Sequence, residues 1–137
     1  MNYSGLSAIT NYIRTNLIAD YEGMVVIPDN VIIDTESEDE FVRITIIPAT
    51  SNQLEIGPTS AFRFSGIVAI QVFTKENIGR KRAFDIVDSI TSYTRFKLLG
   101  NIRFGSEDVV TVSNNESGWY QVNINIPYRF EEIYNQQ

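Results

Sequence analysis

One stretch limits what this chain can become. Ser60 to Thr74 (SAFRFSGIVAIQVFT) alternates at period two. Phe62, Phe64, Val68, Ile70 and Val72 share one face; Arg63, Ser65, Ile67, Ala69, Gln71 and Phe73 share the other. One wholly apolar face and one mixed face is the pattern of a strand in a sheet covered on a single side. At about 3.3 Å per residue the stretch would run roughly 46 Å, more than twice an ordinary strand. A small domain cannot cover that length alone. Either Gly66 breaks the strand with a bulge, or one end projects as an arm toward another subunit.

The remaining chain offers two helices to cover the apolar face. Ser7 to Asp20 predicts the first. Leu6, Ile9, Ile13 and Leu17 recur at three- and four-residue spacing, Ala8 and Tyr12 lie beside them, and Asn11, Arg14, Thr15 and Asn16 face out. Ser4 or Ser7 is placed to cap it, and Gly23 to end the turn that follows. The second helix is predicted over about Arg80 to Phe96, with Ala83, Ile86, Val87, Ile90 and Tyr93 or Thr94 in one stripe. It opens on Arg80, Lys81 and Arg82, cations at the positive end of the helix dipole. Such cations either face water or await an anion. Without interleaved aromatics, a protein partner fits them better than nucleic acid.

Phe41 to Ile47 (FVRITII) puts Val42, Ile44 and Ile46 on one face and Arg43 and Thr45 on the other, and Pro48 is expected to end it. It should pair antiparallel with Ala61–Thr74, the tip extended by Gln53–Ile56 and a Gly57-Pro58 turn. Met24–Ile27 and Val31–Ile33, around Asp29-Asn30, suggest a small hairpin at the sheet edge. Further strands are expected at Ile102–Phe104, at Val109–Ser113 with Val110 and Val112 inward, and at Trp119–Phe130. In the last, Tyr120, Val122, Ile124, Ile126, Tyr128 and Phe130 oppose Trp119, Gln121, Asn123, Asn125 and Arg129. Pro127 lacks an N–H, so there the strand should lie at an edge or leave the ladder. Residues 131–137 read as a flexible tail.

Strict alternation excludes a parallel sheet buried on both faces. The prediction is a single domain over residues 1–137, of α+β class. It is a two-layer α/β sandwich whose mainly antiparallel or mixed sheet is covered on one face by two helices, with a projecting β-hairpin. The outer face would carry Arg43, Thr45, Arg63, Gln71, Gln121, Asn123 and Asn125, with Ile67, Phe73 and Trp119 apolar enough to suggest contact with a partner.

Chemistry is sparse. The chain has no histidine and no cysteine, which removes the commonest general base, His-dependent triads, disulfides and thiolate metal sites. No phosphate-binding glycine loop or nucleophile elbow occurs. No enzyme activity, cofactor or metal is expected. Asp34, Glu36, Glu38, Asp39 and Glu40 form an acidic run (DTESEDE) without the glycine and distant glutamate of an EF-hand loop, so it reads as solvated. A net charge of −6 argues against a protein that grips nucleic acid through phosphates. No apolar run approaches the ~18 residues of a membrane span, and the N-terminus lacks the basic and apolar regions of a signal peptide.

In order and spacing the chain resembles the tail-terminator (tail-completion) proteins of long-tailed bacteriophages. The likeness runs through the N-terminal helix, Phe41–Pro48 (FVRITIIP), Gln53–Gly57 (QLEIG), Arg63, Gly66, and Ile70 with Val72. It continues through Ala83, Asp88 and Ile90 in the second helix, Gly118–Val122 (GWYQV) and Ile126–Tyr128 (IPY). The acidic run departs from the pattern. The resemblance implies a non-enzymatic virion subunit, assembled in the host cytoplasm, that forms a ring, most simply a hexamer. The ring would cap the tail tube, end its polymerisation and meet the head-side connector or stopper, while DNA passes through without specific binding. In such a ring Gln53, Leu54, Glu55, Ile56, Phe62, Arg63, Phe64, Arg80, Lys81 and Arg82 are candidate subunit contacts. Asp34–Glu40 either lines the lumen, repelling phosphates, or pairs with Arg80–Arg82 of the next subunit. Two alternatives stand beside this: another head–tail joining protein (adaptor or stopper), and a small monomeric domain that binds a partner by edge-strand addition.

Overall fold

A computed structural model of the chain describes residues 3–31, 40–53, 59–75, 80–112 and 118–135. A 3-10 turn at Tyr3–Leu6 leads into α1 (Ser7–Asp20), followed by β1 (Val25–Pro28), β2 (Glu40–Gln53), β3 (Thr59–Lys75) and α2 (Lys81–Thr94). Then come β4 (Leu98–Leu99), β5 (Ile102–Phe104), β6 (Asp108–Val112) and β7 (Trp119–Asn135). The strands form one sheet in the order β1-β2-β3-β7-β5-β4, with β6 alongside β7. β1 runs parallel to β2, and every other pairing is antiparallel. The fold is α+β, a two-layer sandwich with two helices over one face of a mixed sheet.

The core follows from period-two alternation meeting helical periodicity. Cross-strand register sets Val42, Val72 and Val122 in one row and Ile44, Ile70 and Ile124 in the next. All six are fully buried, as are Ile9, Ile13 and Leu17 of α1 and Ala83, Ile86 and Ile90 of α2. Each buried aliphatic side chain of this size contributes about 1.5–3 kcal/mol. The helices are also tied to each other. Tyr12 Oη donates to Tyr93 O at 2.7 Å, a carbonyl in the last turn of α2 that has no partner within the helix. The two rings meet edge to face at 5.9 Å.

Several sequence expectations need correction. Leu6, rather than Ser4 or Ser7, is the N-cap residue of α1 and makes no side-chain cap bond. The preceding 3-10 turn already has helical dihedrals, so no extended capping residue intervenes. α2 stops at Thr94 because Phe96 adopts φ 54, outside the right-handed region. Among the described residues Val25–Pro28 is an edge strand that pairs in parallel with β2, from Val25 opposite Phe41 to Pro28 opposite Ile44. Residues 32 and 33, the far side of the expected hairpin, lie outside the described residues.

Pro48 does not end its strand. The register slips between Pro48 and Thr50, which leaves Ala49 as the extra residue of a bulge, and β2 continues to Gln53. The bulge expected in the long strand therefore sits in its neighbour, and β3 passes Gly66 without interruption. Gly66 is required by crowding. A Cβ there would collide with Ile47 O and Tyr128 Oη and lie 2.6 Å from Tyr128 Cζ.

β7 likewise outruns its expected end at Phe130. Residues 131–135, predicted as tail, pair with β3 as far as Asn135 opposite Thr59. The projecting element thus has three strands where a two-stranded hairpin was expected. Pro127 lies inside the sheet, yet its missing N–H breaks no bond: its carbonyl, which points the same way, accepts from Gly105 N at 2.8 Å. Both groups face the gap between β6, whose pairing ends at Asn125, and β5, whose pairing begins at Tyr128. Val110 of β6 pairs with Asn123 and so lies on the outer face, half exposed, where it was expected inward.

Candidate functional site

The face of the sheet opposite the helices is organised in bands, because each cross-strand row repeats one chemistry. At the end where β3 finishes, Phe41 and Phe73 stack at 4.5 Å and Trp119 meets Phe41 edge-on at 5.0 Å. Lys75 Nζ lies 4.4 Å over the indole, a cation–π contact. Phe41 is only 6% exposed, so these aromatics largely satisfy one another. The next rows are polar: Arg43, Gln71 and Asn123, then Thr45, Ala69 and Asn125. Gln121 donates to Asn123 Oδ1 at 2.8 Å, fixing part of this amide field. Ile47, Ile67 and Pro127 follow as an apolar row, with both isoleucines exposed.

Beyond that row the character changes to basic. Ser65 pairs with Arg129, Arg129 with Arg103, and Arg103 with Leu98. Hollows of about 440 Å³ lie on both sides of the two arginines. One is lined by Phe96, Gly105 and Pro127, the other by Leu98, Asn101 and Glu131. One row further, Arg63 binds Glu131 across the strands at 2.8 Å.

The predicted site residues divide by location. Phe62 and Phe64 lie near each other where the arm leaves the core, and Phe64 stacks on Phe130 at 5.0 Å, so it is partly structural. Gln53 ends β2 opposite Phe62. Leu54, Glu55 and Ile56 lie outside the described residues, as do Asp34, Glu36, Glu38 and Asp39.

The basic start of α2 finds anions within the chain. Arg82 donates Nε and Nη2 to the two carboxylate oxygens of Glu40 at 2.7 and 2.5 Å, a bidentate pair. Its guanidinium lies 4.6 Å from the centre of the Tyr21 ring. Hydrogen bonding to Glu40 raises the pKa of Arg82, so the guanidinium keeps its charge. Lys81 reaches Asp85 one turn on at 3.0 Å, and Arg80 is exposed. Arg82 and Glu40, expected to pair with charges of a neighbouring subunit, here pair with each other within one chain.

The Arg103–Arg129 step went unnoticed in the sequence. β5 is too short to show alternation, and nothing in the pattern couples it to β7. Among the described residues no group of three or more His, Cys, Asp or Glu could hold a metal ion, and no helix is long and apolar enough to cross a membrane.

No protein-family model matches the chain, and no curated protein matches it. Solved structures do, 27 chains in number. One superposes with a TM-score of 0.69 over 99% of this chain and 100% of its own, at 12% sequence identity. At that identity the two proteins share a fold.

Proposed function

We propose that this chain is a structural virion subunit of the tail-terminator type. It assembles into a ring at the head-proximal end of a phage tail, ends tube polymerisation and presents a surface to the head-side connector. The observation that carries this reading, beside the sequence resemblance, is the arm that β3 and β7 extend, with β2 as a third strand at its base. Among the described side chains, the last of β7 to be buried are Tyr128 and Phe130, with Phe64 packed beside them. β2 accompanies β3 as far as Gln53 opposite Phe62, and β3 and β7 run on together to Thr59 opposite Asn135. From Phe64 to Thr59 the extension is about 17 Å. A two-stranded ribbon of that length is marginal in water, and β2 braces its base as a third strand up to Phe62. A lever braced at its base and running on past the buried Tyr128 and Phe130 is suited to a neighbouring subunit. The net charge of −6 lets DNA slide past such a ring without adhering.

Light scattering on the full chain, and on a chain ending at Phe130, tests this. The full chain should form a discrete oligomer. The shortened chain should keep its circular dichroism and cooperative melting but lose the oligomer. A full chain that stays monomeric up to its solubility limit would overturn the reading. A second reading, strand addition by a monomer, draws on β6, which among the described residues pairs only with β7 and exposes Val109 and Val110. A stable monomer would favour it.

A further inference from the structure

We infer that Phe96, Leu98, Arg103 and Arg129 form a docking surface for a second copy of this chain, which covers the apolar side chains and brings acid to the two arginines. The inference rests on the ring reading and gives the ring a contact beside the arm.

Two local rules of folding are broken on this one surface, where Phe96, Arg103 and Arg129 line the same hollow. Phe96 has φ 54, in the left-handed region, where a bulky side chain is strained. Asn30 is the only other described non-glycine residue there, and asparagine tolerates that region. The backbone has a reason to turn at Phe96. Its N–H donates to Gly105 O at 3.4 Å, and Lys97 N donates to Thr94 O at 3.1 Å, which leads the chain from α2 into the β4–β5 hairpin. The phenyl ring has no such reason, because it is 72% exposed. Glycine or asparagine would make the same turn with less strain. The second conflict is of charge. Arg103 stands directly opposite Arg129, and like charges so placed destabilise a sheet. Among the described residues no other cross-strand pair joins like charges. Strain and repulsion of this kind persist at functional sites, where a bound state offsets them.

The surroundings select a protein as the ligand. Leu98 shares the row of the two arginines and is 61% exposed. Phe96 and Leu98 are the two most exposed large apolar side chains among the described residues. Their hollow reaches Pro127, which pairs with Ile67, itself 41% exposed. A bare anion would satisfy the arginines and leave these side chains in water. Aromatic, aliphatic and arginine side chains grouped together have the composition of an interface centre.

Charge and position point to a second copy. The two cations call for acid, and the chain carries a net charge of −6. Asp20 at the end of α1 and Asp88 on α2 are both exposed, and Ser89 donates to Asp20 across the two helices. This acid lies on the helix layer, whereas the arginines lie on the opposite face of the sheet. A copy that presents its helix layer to the sheet face of the next brings opposite charges together, head to tail. The hollow on the other side of the arginines runs to Glu131, which pairs with Arg63 at the base of the arm. The surface and the arm therefore adjoin, and one neighbour meets both.

The test uses two substitutions in the full chain that should help the fold and harm the contact. Phe96→Asn relieves the strain, and Arg103→Glu turns the repulsive pair into an attractive one. At a concentration where the chains are monomeric, both variants should unfold at the wild-type urea midpoint or above it. In sedimentation velocity each should self-associate at least about tenfold more weakly than wild type. A variant that unfolds more easily than wild type would show that its residue serves the fold, and would overturn the inference. So would either variant assembling with the wild-type constant; the ring reading then stands if the chain ending at Phe130 still loses the oligomer. If wild type itself never associates, both fall.

Discussion

Replacing Gly66 with alanine adds one carbon where the sheet has no room. The new Cβ would press on Ile47 O and Tyr128 Oη, with Tyr128 Cζ at 2.6 Å. Neither obstacle yields easily. Ile47 O belongs to the backbone of β2, held in register against β3 just before the bulge. Tyr128 is 3% exposed and packs in the core cluster. Overpacking typically costs about 1–3 kcal/mol, and a backbone obstacle puts this case at the upper end. Alanine is favoured over glycine within a strand by about 0.5–1 kcal/mol, which offsets part of that. The net expectation is a loss of about 2 kcal/mol. Urea unfolding followed by fluorescence of Trp119, the single tryptophan, should show the midpoint falling by about 1 M. Protein concentration must be held fixed, because association adds apparent stability. Adding Tyr128→Phe removes the hydroxyl but leaves the carbonyl and Cζ, so it should recover less than half of the loss. A Gly66→Ala chain within about 0.5 kcal/mol of wild type, or full rescue by Tyr128→Phe, would refute the argument that backbone crowding dictates glycine here.

Tyr12→Phe should cost about 1 kcal/mol in the same assay, since it removes the donor to Tyr93 O and leaves that helix-end carbonyl unpaired. Tyr93 has its pKa raised above the usual 10.0, chiefly by burial and secondarily by Asp20. The folded state therefore favours the protonated phenol; this contribution is complete below about pH 10 and is lost as the pH climbs toward the folded value. Stability measured from pH 9 to 12 should fall less steeply in Tyr93→Phe than in wild type, and parallel curves would contradict the assignment. For Arg82 and Glu40, with side chains 41% and 23% exposed, a double-mutant cycle using Arg82→Gln and Glu40→Gln should give a coupling of about 1 kcal/mol that shrinks in 1 M salt. Coupling indistinguishable from zero at low salt would show the pair to be incidental.

Much of the fold was legible because it is written in periodicity. Ile9, Ile13 and Leu17 mark a helix from their spacing alone, and α1 occupies Ser7–Asp20 as predicted. The alternation of β2 and β3 identified their buried faces and their antiparallel pairing. Proline and glycine misled where local rules were applied without the neighbouring strand. Pro48 reads as a stop, but a bulge absorbs it. Pro127 reads as an edge signal, but a gap between two short strands accommodates it. Gly66 reads as a bulge, but it is the one residue small enough to lie under the Tyr128 ring. Residues 131–135 lack strong alternation, and their strand state depends on what β3 offers opposite them.

The sequence by itself determined the class of the protein: one mixed-face sheet, two covering helices and a strand too long for its domain. These depend on which residues are apolar and how they are spaced, which is local information. The tertiary structure decided where charge goes. Arg82 and Glu40 meet because α2 folds back over the start of β2. Arg103 and Arg129 face each other because β5 returns to the edge of β7. Electrostatic partners are chosen by distance in space, and a sequence carries that distance only after the strands have been put in order.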